Sequence, residues 1–518
     1  MTIWPWFFYK QNKLPLPEKM TDIIEDVPAK LQRFFVYNSS WGPKEGEEEK
    51  KIVYYFPENE DDKTKHVGLV EALIRFMSVF SENPAKIQHS QKGKMIFLEV
   101  EPEFWIVLNV ALPHRVKTKS DGTRDINYYS DKLHDNVLEA ILQRTYDMFK
   151  IFTGGFSNYD NETIKVKSAA FFSRYIQTLN FGTNHLTSDL FGAVQFLTLE
   201  PLDFLHVLSF VNKIESDFGC IDKSLFLHHG NIVWSGIQQK ETQLLFHYVY
   251  HTLLLQNATK STGSLNNSPF SGHQGRFLTG PPNIIKLTAD DVNSLRIPKV
   301  FLPIFIEETN EYTLKEYHFL VYHAIKSTLC LLIPIEVDFT VDFFKRLDGH
   351  LGPRLTNMSA DLLDVFGRTS SMIYSGTSSD PSILSPSICV NPSVADGGNL
   401  NEENINMVYF NEANKAMKNT TPNPNTKLAV QDIEIQHGIT DLNEDLHDVI
   451  ELDGQNKSKM TTELTVKLAT DDWIVGKKID QRQLYLAFKG KGSSNLLDIN
   501  AEVDKIMASE FKNICLPP

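Results

Sequence analysis

The 518-residue sequence predicts an α/β protein of three small units, each a mainly antiparallel sheet flanked by helices, with long disordered loops between them. Two observations lead to this prediction. At about 150 residues per domain, the length suggests roughly three domains. The order of two strands, one helix, three strands and two helices occurs twice along the chain, and a shorter version follows. An antiparallel sheet of this kind carries helices on its faces.

The first unit is expected over residues 30–180. β-branched and aromatic residues dominate Leu31–Ser39 and Lys50–Pro57, which predicts a strand pair. Apolar residues at helical spacing between His66 and Phe80 predict an amphipathic helix. Three further strands and two helices are predicted at Lys86–Ser90, Lys94–Val100, Phe104–Leu112, Asp131–Phe152 and Glu162–Leu179.

The second unit is expected over residues 200–367, after a bridging helix near Leu202–Ile214. It repeats the topology of the first unit but not its letters. Strands are predicted at Ile221–His228, Asn231–Ser235, Lys299–Ile306, Tyr312–Lys326 and Ser327–Ile335, and helices at Glu241–Leu255, Val341–Leu351 and Leu355–Phe366. His228 and His229 precede Gly230 and indicate a turn.

The third unit is expected over residues 405–518, after a Ser- and Pro-rich linker at 368–404. Within it, residues 412–460 are expected to be a disordered acidic insertion, because Gln431–Gly454 has eight acidic residues and no Lys or Arg. Strands at 405–410 and near the end, and a final helix at Leu497–Phe511, complete this unit. Residues 1–29 form an aromatic and Pro-rich extension, either a poorly ordered terminus or an anchor for a partner or a membrane.

Composition excludes several functional classes. The chain is 42% hydrophobic and 22% charged, as expected for globular domains. Its net charge of -14 argues against nucleic-acid binding, which needs a basic surface. Four scattered cysteines fit a reducing compartment. Because no apolar run approaches the length of a membrane span, we expect a cytoplasmic protein with peripheral membrane contact.

No motif for covalent chemistry occurs, so we expect no catalytic residue, no metal and no cofactor. Phosphate-loop, dinucleotide-binding, nucleophile-elbow and zinc-protease patterns are all missing from the sequence. His247 and His251 have metal-ligand spacing on a helix, but no third ligand is near them in sequence. Gly490–Ser493 superficially resembles a phosphate cradle, and a hairpin turn is the preferred interpretation. An interaction protein remains.

Four segments carry a resemblance to a known family: RFFVYNSSWGPKEGEEEKKIVYYFP, HVGLVEALIRFM, GRFLTGPPN and DDWIVGKKIDQRQLYLAF. They resemble the calcium-caffeine-zinc-sensitivity (Ccz) family in the family's order, from about Leu31 to the C-terminus. The resemblance implies three longin domains, each a five-stranded antiparallel sheet with one helix on one face and two on the other.

The same resemblance implies a function and partners. The family's Ccz subunit pairs with a monensin-sensitivity (Mon) subunit in an exchange factor for a Rab seven-type GTPase, which acts on late endosomes, lysosomes and autophagosomes. A third regulatory subunit joins in animals, and the complex is recruited to membranes. The alternative is a longin-type trafficking adaptor or tether without exchange activity, and a third hypothesis is a hydrolase with an unrecognised site.

Two surfaces are candidate sites. The first is the partner or GTPase interface, with the loop residues Trp41, Gly42 and Pro43 and the helix residues Glu71 and Arg75. Val70, Leu73, Ile74 and Met77 of the same helix are interpreted as core. The second is a basic patch that would face anionic or phosphoinositide membranes, of which a solvated basic hairpin is the alternative. Its residues are Lys477, Lys478, Arg482, Lys489 and Lys491.

Overall fold

The computed structural model describes residues 23–44, 46–80, 86–119, 123–182, 186–197, 199–254, 273–306, 311–373, 405–420, 429–452 and 461–510. The predictions for residues 1–22 of the aromatic extension and for 374–404 of the linker lie outside these ranges.

The first unit contains a five-stranded antiparallel sheet. Its elements are β1 (Ile23–Val27), β2 (Lys30–Asn38), β3 (Ile52–Phe56), α1 (Lys63–Ser78), β4 (Ile87–His89), β5 (Gly93–Glu101), β6 (Phe104–Ala111), β7 (His114–Thr118), β8 (Arg124–Tyr128), α2 (Asp135–Thr153) and α3 (Asn161–Tyr175). The sheet order is β3-β2-β6-β5-β4, and β1, β7 and β8 form a separate three-stranded sheet that the sequence pattern does not predict.

The alternation of strand side chains divides the core of this unit in two. Phe34 and Val36 of β2 face α2 and α3. Phe35 and Tyr37 point the other way and pack under α1. All four are buried, so β2 is a central strand covered on both faces.

The connection to the second unit contributes structure of its own. It contains α4 (Leu186–Phe191), β9 (Val194–Gln195) and α5 (Pro201–Asp217). The short β9 adds a parallel strand to the sheet of the third unit, while Phe196 bridges to Ile232 in the second unit. The segment 194–196 therefore joins the edges of two sheets.

The second unit has a six-stranded sheet. Its elements are β10 (Lys223–His228), β11 (Asn231–Ser235), α6 (Gln239–His247) with a π-helical extension at Tyr248–Leu254, β12 (Gly275–Thr279), α7 (Ala289–Ser294), β13 (Lys299–Ile306), β14 (Glu311–Ala324), β15 (Ser327–Pro334) and α8 (Val341–Ile373). The order is β11-β10-β15-β14-β12, and the long β14 also pairs with β13.

The prediction of two helices at the end of this unit is wrong, because α8 is continuous through Pro353. A proline inside a helix removes one backbone hydrogen bond and favours a break. Here Leu347, Leu351 and Leu355 are fully buried at four-residue spacing on both sides of the proline. Their packing against the sheet holds the two halves in one helix.

The third unit completes the series. Its elements are β16 (Ile405–Asn411), β17 (Ala416–Asn419), α9 (Val430–Leu452), β18 (Thr461–Lys467), β19 (Trp473–Ile479), β20 (Arg482–Phe488) and α10 (Leu496–Glu510). The sheet order is β18-β19-β20-β16-β17-β9. With strands numbered within each unit, the first and third sheets share the order two, one, five, four, three, and the second has the same order if the additional strand β12, which pairs with β14 beside β13, is left out. The repeated topology is therefore confirmed.

Two predictions in this unit are wrong. The acidic stretch within 412–460 is not a disordered insertion where the structure describes it, since it forms β17 and α9. α9 has a buried apolar stripe formed by Ile435, Ile439, Leu442 and Leu446. Because these residues lie at helical spacing, the segment folds as a helix in spite of its acidic composition. The Gly490–Ser493 segment connects β20 to α10 instead of forming a hairpin, because Asn495–Ile499 enters a helix.

Candidate functional site

The candidate site lies on the face of the first sheet that carries α1. The inner side of α1 packs Val67 and Val70 onto Phe35 and Phe97 of the sheet. Ile74 and Met77 are partly buried in the same cluster, as the interpretation of these positions as core predicts. Among the described residues, this cluster receives side chains from no other helix, so α1 covers the face alone.

The outer side of α1 is apolar as well. Leu69 and Phe76 of α1 and the next residues after its end, Val79 and Phe80, are exposed by 52%, 63%, 78% and 73%, and we call these four residues the outer ridge. The rings of Phe76 and Phe80 meet edge to face with centroids 4.9 Å apart. A surface helix usually turns polar residues to water, so a contiguous apolar strip indicates an interaction surface.

A groove of about 280 Å³ runs beside α1, over β4 and β5. Phe35 and Met95 provide apolar contact within it. Arg33, Gln88 and Asn109 line it with polar groups, and His66 and Leu69 of α1 line it from the helix side. We call this feature the α1 groove.

The electrostatics of the α1 groove centre on Arg33. Its Nε is buried and has no hydrogen-bond partner, and its Nη2 lies 3.4 Å from Glu60, which is a long contact. Burial, with a contribution from the Arg33 charge, lowers the pKa of His66 below its ordinary value. His66 is therefore neutral near pH 7, and its Nδ1 hydrogen-bonds the Tyr55 hydroxyl at 2.8 Å.

The predicted helix residues Glu71 and Arg75 lie together on α1, one helical turn apart. Glu71 contacts both Arg75 and Lys51, and its Oε2 is 2.7 Å from Lys51 Nζ. The Arg75 side chain is 74% exposed, whereas that of Glu71 is 13% exposed. Arg75 is accessible to a partner, and Glu71 serves mainly to hold the two cations.

The predicted loop residues lie apart from that pair. Trp41 packs edge to face on Phe104, within the core on the α2 and α3 side, and Lys165 lies over its ring. Gly42 has φ +55°, and a side chain there would collide with the Glu47 carbonyl. Pro43 is exposed. The structure therefore does not bring Trp41 together with Glu71 and Arg75.

The basic patch is largely neutralised by neighbouring carboxylates. Lys477 contacts Glu463, Lys478 contacts Glu412, Lys489 contacts Asp432 and Lys491 contacts Glu502, at 2.6–3.2 Å. Arg482 is exposed and also has an interaction partner. Because the lysines are paired, little charge remains to attract a lipid surface, and a lipid-binding role stays a prediction.

The candidate residues that the sequence indicated on α1 are charged, so they did not include the outer ridge. A signal for it exists in the sequence, because α1 carries apolar residues on two faces where one face would suffice for the core. The α1 groove has no comparable signal, since Arg33, Gln88 and Asn109 come from three separate strand regions that only the register brings together.

The sequence also places His247 and His251 at the spacing of metal ligands. His247 and His251 stack with ring centroids 4.2 Å apart. Within the ranges that the structure describes, no group of three or more His, Cys, Asp or Glu side chains could hold a metal ion. No helix among those residues has the length and apolarity needed to cross a membrane.

Three sheets of one strand order, each with helices on its faces, define a protein of three longin domains. Family models agree: residues 31–154 match "First Longin domain of INTU, CCZ1 and HPS4", residues 221–352 match "Intu longin-like domain 2", and residues 401–506 match "Intu longin-like domain 3".

Relatives that match over nearly their whole length identify the family within this class of longin-domain proteins. Proteins named "Vacuolar fusion protein CCZ1 homolog" from Nematostella vectensis and Xenopus laevis are each 34% identical, over 93% of this chain and 97% and 96% of their own lengths. The protein of that name from Dictyostelium discoideum is 26% identical over 94% of this chain. The chain belongs to the CCZ1 family of vacuolar fusion proteins, which supports a role in vacuole fusion and membrane trafficking within a multi-subunit complex.

Proposed function

We propose that the chain is one subunit of a guanine-nucleotide exchange factor for a Rab seven-type GTPase. It pairs through its first longin domain with a Mon-family subunit, and the pair promotes endosome maturation and the fusion of late endosomes and autophagosomes with lysosomes or vacuoles. A third regulatory subunit joins the pair in animals. The chain is recruited peripherally to these membranes.

An exchange factor of this kind acts by binding. It binds the nucleotide-free GTPase more tightly than the loaded form, so the GTPase releases its nucleotide. Because the two binding events are linked, bound nucleotide weakens the binding of the exchange factor to the GTPase. The factor weakens the binding of the nucleotide by the same free energy. Side chains that attack, protonate or coordinate are not required, so an interaction surface is the feature to examine.

The observation that carries the proposal is the outer ridge. Four large exposed apolar side chains on α1 and at its C-terminal end would cost solvation free energy in a chain that works alone, and aromatic residues are enriched in the buried centres of interfaces. Arg75 precedes Phe76 on α1 and is 74% exposed, so it offers a charged contact to the same partner. The loop of Trp41, Gly42 and Pro43 remains a proposed second contact, through exposed Pro43.

The test combines binding and exchange. The chain with Phe76→Asp and Phe80→Asp is purified beside the unaltered chain, and each is mixed with the Mon-family subunit. We expect at least about 30-fold weaker pairing for the double variant, as for the loss of a hot spot. Release of a fluorescent GDP analogue from the Rab seven-type GTPase, measured with each mixture, should slow in parallel.

A matched control is Val166→Asp, since Val166 is 70% exposed on α3, on the other side of the same domain. It should pair and exchange like the unaltered chain. If the unaltered pair fails to accelerate nucleotide release, the adaptor or tether function replaces exchange. Membrane contact through the basic patch is tested separately by vesicle flotation with all five residues changed to Glu, and undiminished binding to phosphoinositide vesicles would exclude it.

A further inference from the structure

We propose that His134 and His437 form a proton-sensitive contact, which holds the third domain against the first at neutral pH and releases it in acid. The two side chains come from different domains, since His134 lies at the N-cap position of α2 and His437 lies on α9. Their facing ring nitrogens, His134 Nε2 and His437 Nδ1, are 2.7 Å apart. The proposal concerns how the domains of one chain are held together, so it does not depend on the partner subunit or the GTPase.

The number of protons that this contact can hold is limited. A hydrogen bond between two imidazole rings needs one nitrogen with a proton and one with a lone pair. The other nitrogen of His134, Nδ1, is 3.2 Å from Asp441 Oδ1, while Nε2 of His437 is buried without a hydrogen-bond partner among the described residues. One imidazolium fits, because a charged His134 donates to Asp441 and to His437 at once. A second would place two N–H groups face to face, and the contact would be lost.

The surroundings of the pair disfavour that second proton. Burial, followed by the charge of His134, lowers the pKa of His437 to about 4, against an ordinary value of about 6.5. Lys132, just before α2, acts in the same direction, whereas the carboxylates of Asp441 and Asp131 oppose it. Because the His134 side chain is only 4% exposed, little water reaches the pair to weaken the repulsion of two cations.

The other charged groups on the packed elements have partners of their own. Asp135, in the first turn of α2, contacts Lys94 and His89 of the first domain. On α4, which packs against both α2 and α9, Asp189 contacts Arg144. Since these carboxylates are already paired with cations, they offer little compensation for a second charge on the histidines.

The direction of the pH dependence follows from the pKa of His437 in the two states. While the contact is closed, His437 takes up a proton at a pH of about 4, and once released into water it takes one up at about 6.5. The closed form is therefore fully stable above about pH 6.5, and acid favours the released form because that form binds the extra proton. At pH 5.5 release should be favoured about tenfold more than at pH 7.5.

The experiment is hydroxyl-radical footprinting of the purified full chain at about pH 7.5 and about pH 5.5, which reports the access of water to individual side chains. Buried His134 is the reporter, and His206, exposed on α5, is the internal reference. Oxidation of His134 relative to His206 should be low at the higher pH and rise up to about tenfold at the lower. In the variant His437→Gln, whose amide can still hydrogen-bond His134 but does not titrate, the ratio should stay low at both.

Two further variants sharpen the test. His89→Gln is the matched control, because His89 also contacts the first turn of α2 but from within the first domain. It should keep the pH response of the unaltered chain. Asp441→Asn removes the carboxylate that stabilises a charged His134, so release should begin at a higher pH than in the unaltered chain.

The inference is overturned if His134 of the unaltered chain stays protected in acid, or if His437→Gln responds to acid as the unaltered chain does. Where His437→Gln already exposes His134 at neutral pH, the Asp441→Asn variant decides: an upward shift supports the inference, and an unshifted response overturns it. Phe149, fully buried in the first domain, reports on unfolding. If its oxidation rises together with that of His134, the whole fold opens and the inference is wrong.

Discussion

The sheets of the first and second domains have the same strand order, yet their corresponding faces differ in coverage. In the second domain, the face that carries α6 is also covered from the first domain, by Met148 and Ile151 of α2 and by Phe171 and Tyr175 of α3. In the first domain, the corresponding face is covered by α1, with the outer ridge and the α1 groove beside it.

The difference depends on α2, which serves two cores. Phe149 packs into the first domain, whereas Met148 and Ile151 pack into the second. The face in the third domain is also completed from elsewhere, since α9 packs beside α4, and His437 Nδ1 lies 2.7 Å from Nε2 of His134 at the start of α2. Among the residues that the structure describes, the face in the first domain receives no helix besides α1.

The largest effect should come from opening the covered face. Ile151→Ala removes a side chain that is 3% exposed between two domains, and we expect a loss of about 3 kcal/mol in the free energy of unfolding. The measurement is chemical denaturation of the full chain. Val166→Ala, at an exposed site on α3, should change it by less than about 0.5 kcal/mol. A loss below about 1 kcal/mol for Ile151→Ala would mean that α2 does not couple the two domains.

The order of strands and helices along the chain was predictable from sequence, because alternation and helical spacing are local signals. The strands Ile52–Phe56 and Phe104–Ala111 coincide closely with the expected ones. The errors have tertiary causes. Leu351 and Leu355 pack against the sheet on both sides of Pro353 and keep α8 continuous. In α9 the apolar residues are outnumbered by polar and acidic ones, and their packing against the sheet makes the segment helical.

A smaller effect should come from the turn that fixes the end of α2. Glu101 accepts hydrogen bonds from the backbone N–H groups of Phe156 and Ser157, at 2.7 and 2.8 Å, and from the Tyr146 hydroxyl at 2.7 Å. Burial alone would raise the pKa of Glu101, but the hydrogen bond from the Ser157 hydroxyl, together with these three, lowers it below its ordinary value. We expect Glu101→Gln to cost about 2 kcal/mol near neutral pH.

The pH dependence of that cost has a definite sign. A carboxyl group with a lowered pKa in the folded state stabilises the fold above its unfolded pKa of about 4.3. The contribution is lost as the pH falls through the folded pKa. The difference between the unaltered chain and Glu101→Gln should therefore be constant above about pH 6 and shrink in acid. A difference that grows in acid would contradict the assigned hydrogen bonds.

The candidate site was less predictable than the fold. Residue type alone favoured Glu71 and Arg75, because charged residues on a surface helix are accessible. Whether Phe76 faces the core or water depends on how far α1 tilts across the sheet, and the contacts of Arg33 depend on strand register. Neither is a local property of the sequence.

The smallest effect on stability should come from the outer ridge of the first domain. It tests most directly whether this face differs from the covered face of the second domain. Phe76→Ser with Phe80→Ser removes two large apolar side chains, as a core truncation does, but both are mostly in water in the free chain. We expect the free energy of unfolding of the free chain to change by less than about 1 kcal/mol, with the lost Phe76–Phe80 contact as the main cost. Denaturation of the free chain and of its complex with the Mon-family subunit separates the cases, because a partner that binds only the folded chain adds stability that grows with the logarithm of its affinity. The unaltered chain should gain stability on adding the partner, and the double variant should gain much less. A large loss in the free chain would show instead that the ridge is part of the domain's own core, and the pairing surface would have to lie elsewhere.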